Sequence, residues 1–375
     1  MKFYDFDDFG FEISTPSLVG RGEGHFWFPT IHPVGGKDVL CEVVLSADEA
    51  QGEWPASLFL SRDSGDTWSH AADFENYGHT SAKHGEREVL LMPFETWPLE
   101  KGDKRNAKAS GTIINVTDDG AVTTERAPMK FLGFPKDFAD YHEDELFLLN
   151  GGNILKLSDG LLFTTVYGKY ADEEKESVWC LTSKDGGLTW EHLSRVASWR
   201  DTPGAKEGPN ESATVKLAGG GLMCIYRIGG GRDQLFHRSV STDEGRTWSK
   251  PEPIPNAWSV QPRLTSIGDD LVLLAGGRPG LFLWVCADGE GRDWHRISLA
   301  AHHNELYGDS SLHYEEVVCT GEERVDPTQT TSYTGLEAIG PDEAILCYER
   351  LANGWQPAPG PWGTESAVFT VRIRV

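Results

Sequence analysis

The sequence predicts an all-β fold, and specifically a six-bladed β-propeller, from three observations. Short apolar runs rich in β-branched residues, such as "DVLCEVVLS", "GTIINVT" and "DLVLLAGG", are separated by Gly, Asp, Asn and Pro. No segment combines sustained helical periodicity with helix caps. An eight-residue pattern, Ser-x-Asp-x-Gly-x-Thr-Trp, occurs three times along the chain. Self-similarity of this kind indicates a repeat architecture built from β-hairpins.

The repeated pattern predicts a tight turn between two strands. It occurs at Ser61–Trp68, Ser183–Trp190 and Ser241–Trp248, and weaker copies lie at Val116–Thr123 and Cys286–Trp294. In such a turn, Asp and Ser bond nearby backbone N–H groups, Gly adopts a conformation that other residues avoid, and the Trp packs under the hairpin. We therefore expect these turns to be structural and to carry no chemistry.

The spacing of the turns sets the expected number of blades. The aspartates of the five copies are 45 to 67 residues apart: Asp63, Asp118, Asp185, Asp243 and Asp288. That interval suits a four-stranded blade, and 375 residues divide into about six blades of one domain, residues 1–375. The last strand, within "AVFTVRIRV", is expected to pair with the N-terminal strand and close the ring.

Composition narrows the classes of partner. The chain has 58 acidic and 34 basic residues, a formal net charge of −24, which disfavours nucleic acid and anionic membranes as partners. No apolar run is long enough to span a membrane. The acidic, aromatic N-terminus is unlike a signal peptide, so the expected location is cytoplasmic as given, or secreted or periplasmic if a leader was trimmed.

Cysteine and histidine spacing predicts neither a metal site nor a cofactor. The six cysteines are scattered without a CxxC pair, and most lie in apolar, strand-like runs. Buried free thiols are therefore expected rather than disulfides or a zinc site. No nucleotide-binding loop is present either, so no cofactor is expected.

Two longer motifs carry a family resemblance. "PNESATVKLAGGGLMCIYR" places Glu211 sixteen residues before Arg227, and "SYTGLEAIGPDEAILCYER" places Tyr333 sixteen residues before Glu349. "GRPGLFLWVCADGEG" adds Arg278 before the last repeat. The repeated turns described above match the Asp boxes of the sialidase superfamily. Together with them, this pattern resembles that superfamily over almost the whole chain. The resemblance implies a propeller whose catalytic residues meet at the mouth of the central pore, and an exo-acting glycoside hydrolase.

The resemblance also implies a role for each residue of these motifs. Sialidases depart from the usual pair of carboxylates and use a tyrosine nucleophile, because their sugar carries a carboxylate on its anomeric carbon. Tyr333 is then the nucleophile and Glu211 is the base that takes the phenolic proton. Arg227 and Arg278 hold an acidic group by charge-assisted hydrogen bonds. The implied partner is a glycan or small glycoside with a terminal acidic sugar.

The chain departs from the family at one position. Sialidases carry a third arginine in Arg-Ile-Pro, and in "FWFPTI" Trp27 stands in its place. An indole offers an apolar stacking face, which disfavours sialic acid itself and suits another sugar ring. Alternation along a strand places His25 on the same face as Trp27. Glu349, which pairs with that arginine in the family, is expected to contact Arg21 or the substrate.

Two features leave alternatives open. The general acid is expected on the loop "SADEAQGEWP", where we select Asp48 over Glu49 and Glu53. "AAHHNEL" contributes His302 and His303 as further candidates for the substrate pocket. If one of them is a catalytic base, the protein is instead a sialidase-like lyase or hydrolase acting on uronic-acid or rhamnose-containing glycans. The third alternative is a non-catalytic, glycan-binding propeller.

Overall fold

The computed structural model describes residues 1–48, 54–141, 145–149, 151–321, 331–352 and 363–375. The described chain is dominated by β-strands, as the sequence predicts. Its first seven strands are β1 (Lys2–Phe6), β2 (Phe9–Ile13), β3 (Ser17–Glu23), β4 (Trp27–Gly35), β5 (Asp38–Val44), β6 (Ala56–Ser61) and β7 (Ser69–Phe74). Strands β4 to β7 form a four-stranded antiparallel sheet in chain order.

The next ten strands form one large sheet. They are β8 (Thr80–Lys83), β9 (Glu88–Met92), β10 (Trp97–Pro98), β11 (Ala107–Val116), β12 (Val122–Leu132), β13 (Phe147–Leu148), β14 (Leu155–Lys156), β15 (Leu162–Gly168), β16 (Ser177–Ser183) and β17 (Thr189–Ala197). The sheet has two antiparallel parts, which meet where β12 and β17 pair in parallel. A 3₁₀ turn, Trp199–Asp201, follows it.

Two further four-stranded sheets follow in chain order. One contains β18 (Asn210–Lys216), β19 (Leu222–Arg227), β20 (Leu235–Ser241) and β21 (Glu252–Trp258). The other contains β22 (Arg263–Ile267), β23 (Leu271–Gly276), β24 (Phe282–Cys286) and β25 (His295–Ser298). Two short helices, which the sequence analysis did not predict, lie after them: α1 (Leu299–Leu306) and α2 (Glu316–Thr320), with a 3₁₀ turn, Ser310–Leu312, between.

The last sheet joins the two ends of the chain. Its C-terminal strands are β26 (Thr334–Gly340), β27 (Glu343–Arg350) and β28 (Glu365–Arg374). β28 pairs with β27 on one side and with β3 and β2 on the other, and β1 pairs with β2. The predicted pairing of the last strand with the N-terminal region is therefore confirmed.

The apolar core lies between neighbouring sheets. One buried cluster, for example, joins Phe236 of β20 to Trp284 of β24. The first strands of successive sheets also contact one another, in the order β8, β4, β26, β22 and β18. Because these innermost strands lie side by side, residues at their N-terminal ends are brought close together.

The buried side chains include most of the cysteines. All six are free thiols, as predicted, and Cys319 is only partly buried. The buried ones are Cys41, Cys180, Cys224, Cys286 and Cys347. None of the described helices has the length and apolar character needed to cross a bilayer.

The three full copies of the repeat form the same hydrogen-bonded turn. In the first, Ser61 Oγ donates to Asp63 Oδ1 over 2.8 Å, and the Thr67 backbone N–H donates to the same oxygen over 2.9 Å. The Gly65 N–H donates to Ser61 Oγ over 2.7 Å. The copies at Asp185 and Asp243 repeat these bonds. In each copy the Ser Oγ and Asp Oδ1 atoms are used within the turn, which fits a structural role.

The weak copy after β11 differs from the sequence prediction. Asp118 was expected to occupy the position of the repeat's aspartate, but Thr117 Oγ1 donates to Asp119 Oδ1 over 2.5 Å. The Ala121 N–H donates in turn to Thr117 Oγ1 over 3.0 Å, while the Asp118 side chain is exposed. The hydroxyl and carboxylate must be two residues apart to close this turn, and only Asp119 satisfies that spacing.

This difference can be tested by two neighbouring substitutions. We expect Asp119→Ala to lower the melting temperature by about 1–3 °C, because the turn loses its side-chain acceptor. Asp118→Ala is the matched control and should lower the melting temperature by less, since the exposed Asp118 side chain makes a 3.5 Å ion pair with Arg87, which at the surface contributes little to stability. Arg62 bonds the Asp118 carbonyl oxygen, which the substitution keeps. A thermal melt in which Asp118→Ala is the more destabilised variant would contradict this assignment.

Candidate active site

The site is centred on a hydrogen bond between two residues that the sequence predicts to act together. Tyr333 immediately precedes β26, and Glu211 is the second residue of β18. Tyr333 Oη donates to Glu211 Oε1 over 2.7 Å. The two residues are 122 positions apart in the chain and are brought together by the innermost strands of different sheets. A phenol donating to a carboxylate is the arrangement in which the carboxylate can take its proton.

The second oxygen of Glu211 is held by two further donors. Arg227 Nη1 and the backbone N–H of Gln261 each donate to Glu211 Oε2 over 2.8 Å. Burial alone would raise the pKa of Glu211, but the Arg227 charge and the hydrogen bonds from Arg227, Tyr333 and Gln261 lower it below the ordinary value of 4.5. Glu211 is therefore ionised at neutral pH and able to accept a proton from Tyr333.

Tyr333 remains protonated in the resting site. Burial raises its pKa well above the ordinary value, and the charges of Glu211 and Asp48 raise it further, against the opposing charges of Arg278 and Arg227. The ring of Phe28 stacks on that of Tyr333, with 4.6 Å between their centroids. This contact fixes the plane of the phenol, so its oxygen points at Glu211.

Asp48, the predicted general acid, lies in the same electrostatic environment. It is partly open to solvent, yet the surrounding protein desolvates its carboxyl group and raises the pKa to about 6. The charge of Arg278 opposes this rise, and that of Glu211 adds to it. A carboxyl group with this pKa holds its proton in mildly acidic solution. The alternatives Glu49 and Glu53 lie outside the described residues.

The two predicted arginines differ in their partners. Arg227 is bound between two carboxylates: Nη1 donates to Glu211, and Nη2 donates to both oxygens of Glu207 over 3.0 and 3.2 Å. Arg278 is held through its backbone, whose N–H donates to Ser259 Oγ over 2.8 Å. Burial lowers the pKa of Arg278, and its charge acts on Tyr333, Glu211 and Asp48. Arg227 therefore contacts the Tyr333–Glu211 pair directly, and the charge of Arg278 acts on it.

Glu349 holds the backbone at Tyr333. It is buried in β27, and its Oε1 accepts hydrogen bonds from the backbone N–H groups of Ser332, over 2.5 Å, and Tyr333, over 3.0 Å. Burial raises the pKa of Glu349 to about 8, although these bonds and the charge of Arg278 oppose the rise. Arg21, one of its expected partners, instead contacts Asp309 over 3.3 Å. Glu349 positions the backbone that carries Tyr333.

Trp27 is close to the site, with His25 beside it, but the indole is not exposed as predicted. Only 2% of Trp27 is exposed, its Nε1 donates to the Ser46 carbonyl oxygen over 2.9 Å, and its ring stacks on Phe28 at 4.3 Å. The His25 ring lies 4.9 Å from the indole. The indole is therefore not the open stacking face that the sequence predicts, and the ring that stacks on Tyr333 is that of Phe28.

His302 and His303 are placed elsewhere, in α1. His302 is buried between the Tyr4 hydroxyl and the Ser14 carbonyl oxygen, each 2.9 Å from a ring nitrogen. His303 Nδ1 lies 3.0 Å from the Tyr348 hydroxyl, and its ring packs on Phe369. Burial lowers the pKa of both rings, that of His303 to about 3. These contacts anchor the helix and do not join it to the Tyr333–Glu211 pair.

Sequence reasoning missed the residues that support the site from the centre of the sheets. Arg263, the first residue of β22, donates to the carbonyl oxygens of Thr334, Gly152 and His79 over 2.8–3.1 Å. Its burial and its bonds to three backbone carbonyl oxygens, with a further 3.1 Å contact to His79 Nε2, indicate a structural role where the inner strands meet. An arginine at the start of the short inner strand "RLTSI" was the available signal.

Backbone conformation at the site could not be read from the sequence. Phe28, Glu211 and Gln261 have φ values of 49°, 28° and 44°, in the left-handed region that non-glycine residues rarely adopt. All three contact the nucleophile pair or belong to it. Strained backbone of this kind accumulates at functional sites, where the surrounding structure holds it in place. Among the described residues, no group of three or more His, Cys, Asp or Glu side chains is arranged to bind a metal ion.

A comparison with known protein families shows which family the chain belongs to. Residues 134–323, half of the chain, match the family model described as "BNR repeat-like domain". The chain belongs to this BNR repeat-like family. This match confirms the predicted BNR-repeat resemblance, and solved structures similar in fold to this BNR protein include sialidases, an arabinanase and an arabinofuranosidase. No curated protein sequence matches the chain.

Three solved structures illustrate the likeness of this BNR protein. One is a protein of unknown function from Dyadobacter fermentans, 15% identical, with a TM-score of 0.66 and coverage of 97% of this chain and 99% of the other. The second is an α-L-arabinanase of Penicillium chrysogenum complexed with arabinobiose, 13% identical, with a TM-score of 0.55 and coverage of 96% and 98%. The third is a mutant Trypanosoma rangeli sialidase with trans-sialidase activity, 15% identical, with a TM-score of 0.55 and coverage of 92% and 54%. At these identities the likeness concerns the fold alone: the chain is all-β, and its structural neighbours include β-propeller glycosidases.

Proposed function

We propose that this protein is an exo-acting glycoside hydrolase that removes a terminal sugar from a glycan or small glycoside. The observation that carries the proposal is the 2.7 Å hydrogen bond from Tyr333 Oη to Glu211, an ionised carboxylate that accepts three hydrogen bonds in all. A non-catalytic glycan-binding propeller has no need for a buried phenol paired with a fixed base. The histidine-based lyase or hydrolase has no support from the positions of His302 and His303 in α1.

The proposed reaction has two steps. In the first, Tyr333 Oη attacks the anomeric carbon as its proton passes to Glu211 Oε1, while protonated Asp48 gives its proton to the departing glycosidic oxygen. In the second, the Asp48 carboxylate takes a proton from water, which attacks the same carbon. The Tyr333–sugar bond then breaks, and the phenol oxygen recovers its proton from Glu211. Two displacements at one carbon retain its configuration.

The number of blades belongs to the same proposal. Three four-stranded sheets are separate, the ten-stranded sheet has two antiparallel parts, and the strands β26, β27 and β28 are completed by β3. Counting each antiparallel part once supports six blades. In such a propeller the start of β18, which carries Glu211, and the start of β26, which follows Tyr333, would lie at one mouth of the central pore.

Removal of the Tyr333 hydroxyl tests the nucleophile. We expect Tyr333→Phe to lower kcat/KM on an aryl glycoside substrate by about 10³- to 10⁶-fold, which corresponds to about 4–8 kcal/mol of barrier. Tyr4→Phe is the matched control, because it also removes a hydroxyl bonded to another side chain but lies at the N-terminal hairpin. Steady-state kinetics and thermal melts of both variants make the comparison. Near wild-type turnover by a folded Tyr333→Phe protein would exclude the tyrosine mechanism.

The pH profile tests the acid and the base together. Glu211 must be ionised, and its pKa lies below 4.5, so kcat/KM should rise as pH increases through that lower value. Asp48 must be protonated, and its pKa is about 6, so kcat/KM should fall as pH increases past about 6. In Asp48→Asn the upper limb should disappear, and glycosides with poor leaving groups should lose the most activity. An upper limb that persists unchanged in that variant would show that Asp48 is not the acid.

A further inference from the structure

The guanidinium group of Arg227 is compensated within the protein on both of its terminal nitrogens. Nη1 donates to Glu211, and Nη2 donates to Glu207 Oε1 and Oε2. Of the Arg227 side chain, 14% is exposed, against 45% of Glu207. Glu207 therefore lies on the more open side of the guanidinium group, where a sugar carboxylate would have to approach it.

Glu207 is fixed in this position by its neighbours. Asn210, which is 4% exposed, donates from Nδ2 to Glu207 Oε2 over 3.1 Å and to Glu176 Oε2 over 2.6 Å. The backbone N–H of Glu176 donates to the Glu207 carbonyl oxygen over 3.1 Å. Gly208, with φ of 100°, allows this close approach, because a Cβ atom there would collide with the backbone of Glu176. Glu207 is thus not free to swing away from Arg227.

From this geometry we infer that Glu207 determines specificity, by occupying the open side of Arg227 so that the site accepts an uncharged sugar and rejects a carboxylate at this position. The inference rests on the proposed hydrolase function and names its substrate class. A carboxylate entering here would meet the negative charge of Glu207 and would compete with it for the same N–H groups. The sequence analysis expected Arg227 and Arg278 to bind an acidic sugar together. Glu207 occupies Arg227, so that pair no longer acts on the sugar.

A tyrosine nucleophile suits an uncharged sugar in this site as well. Glu211 and Glu207 already place two carboxylates around Arg227, and Asp48 adds a third near Tyr333. A carboxylate nucleophile in place of the phenol would bring a further negative charge against Glu211, which like-charge repulsion disfavours. The neutral phenol avoids this repulsion whatever the charge of the substrate.

The test compares neutral sugars with acidic ones, including pairs that differ only by a carboxylate at C6. The substrates are 4-nitrophenyl glucosides and galactosides of both anomers, the matching glucuronides and galacturonides, an α-L-arabinofuranoside and an α-sialoside. We expect the wild-type protein to cleave a neutral member with the highest kcat/KM. In Glu207→Gln the ratio of neutral to uronic kcat/KM should fall by about 10- to 100-fold, mainly through a lower KM for the acid, as gaining a charge-assisted bond implies.

Asp233→Asn is the matched control. Asp233 is 59% exposed and pairs with Lys206, next to Glu207 in the chain, so its loss removes one negative charge without uncovering Arg227. This variant should keep the wild-type ratio, which a general effect of charge would change. Wild-type preference for a uronide or the sialoside would overturn the inference and leave the hydrolase proposal standing. An unchanged neutral-to-uronic ratio of kcat/KM in Glu207→Gln would also overturn the inference and leave the hydrolase proposal standing.

Binding separates the two proposals if no glycoside is cleaved. Complete inactivity of the wild-type protein on the panel would count against the hydrolase. Thermal melts with glucuronate and with glucose then decide on Glu207, since a bound ligand raises the melting temperature. Stabilisation by glucuronate that is greater in Glu207→Gln than in both the wild type and Asp233→Asn would support the inference. No such gain would overturn it.

Discussion

The organisation of the site depends on a single buried carboxylate, Glu211. Its two oxygens accept hydrogen bonds from Tyr333, Arg227 and the Gln261 backbone, which belong to three different sheets or their connections. An ionised group can be buried only where such donors compensate its lost hydration. The charge of Glu211 therefore requires the inner strands to converge, and their convergence is what gives the phenol its proton acceptor.

The other ionisable groups near Glu211 are compensated by partners of their own or kept neutral. Glu349, although close to Arg278, is compensated by two backbone N–H groups, and burial raises its pKa to about 8, so it is largely neutral at pH 7. Arg227 is balanced by Glu207 as well as by Glu211. The site thus combines one ionised base, one neutral phenol and one acid of intermediate pKa, Asp48. Separation of pKa values among neighbouring groups is typical of acid–base catalysis.

The sequence predicted best what depends on local strand geometry. The sixteen-residue spacing of Glu211 and Arg227 is that of a hairpin, in which Asn210 pairs with Arg227, and Tyr333 meets Glu349 for the same reason. The predictions for Trp27, His302 and His303 depended on which face is covered by distant parts of the chain, and that burial is invisible in a local pattern. Glu207 was missed because nothing in its sequence context shows that Asn210 holds it against Arg227.

The central claim, that Tyr333 forms a covalent bond to the sugar with Glu211 as its base, is tested most directly by trapping that intermediate. The protein is incubated with 2-deoxy-2-fluoro glycosyl fluorides of neutral sugars, which slow the second step more than the first, then digested and sequenced by mass spectrometry. We expect one sugar per chain, attached to the peptide that contains Tyr333. The Glu211→Gln variant should be labelled more slowly than the wild type. Attachment to Glu211, Asp48 or another carboxylate would contradict the claim.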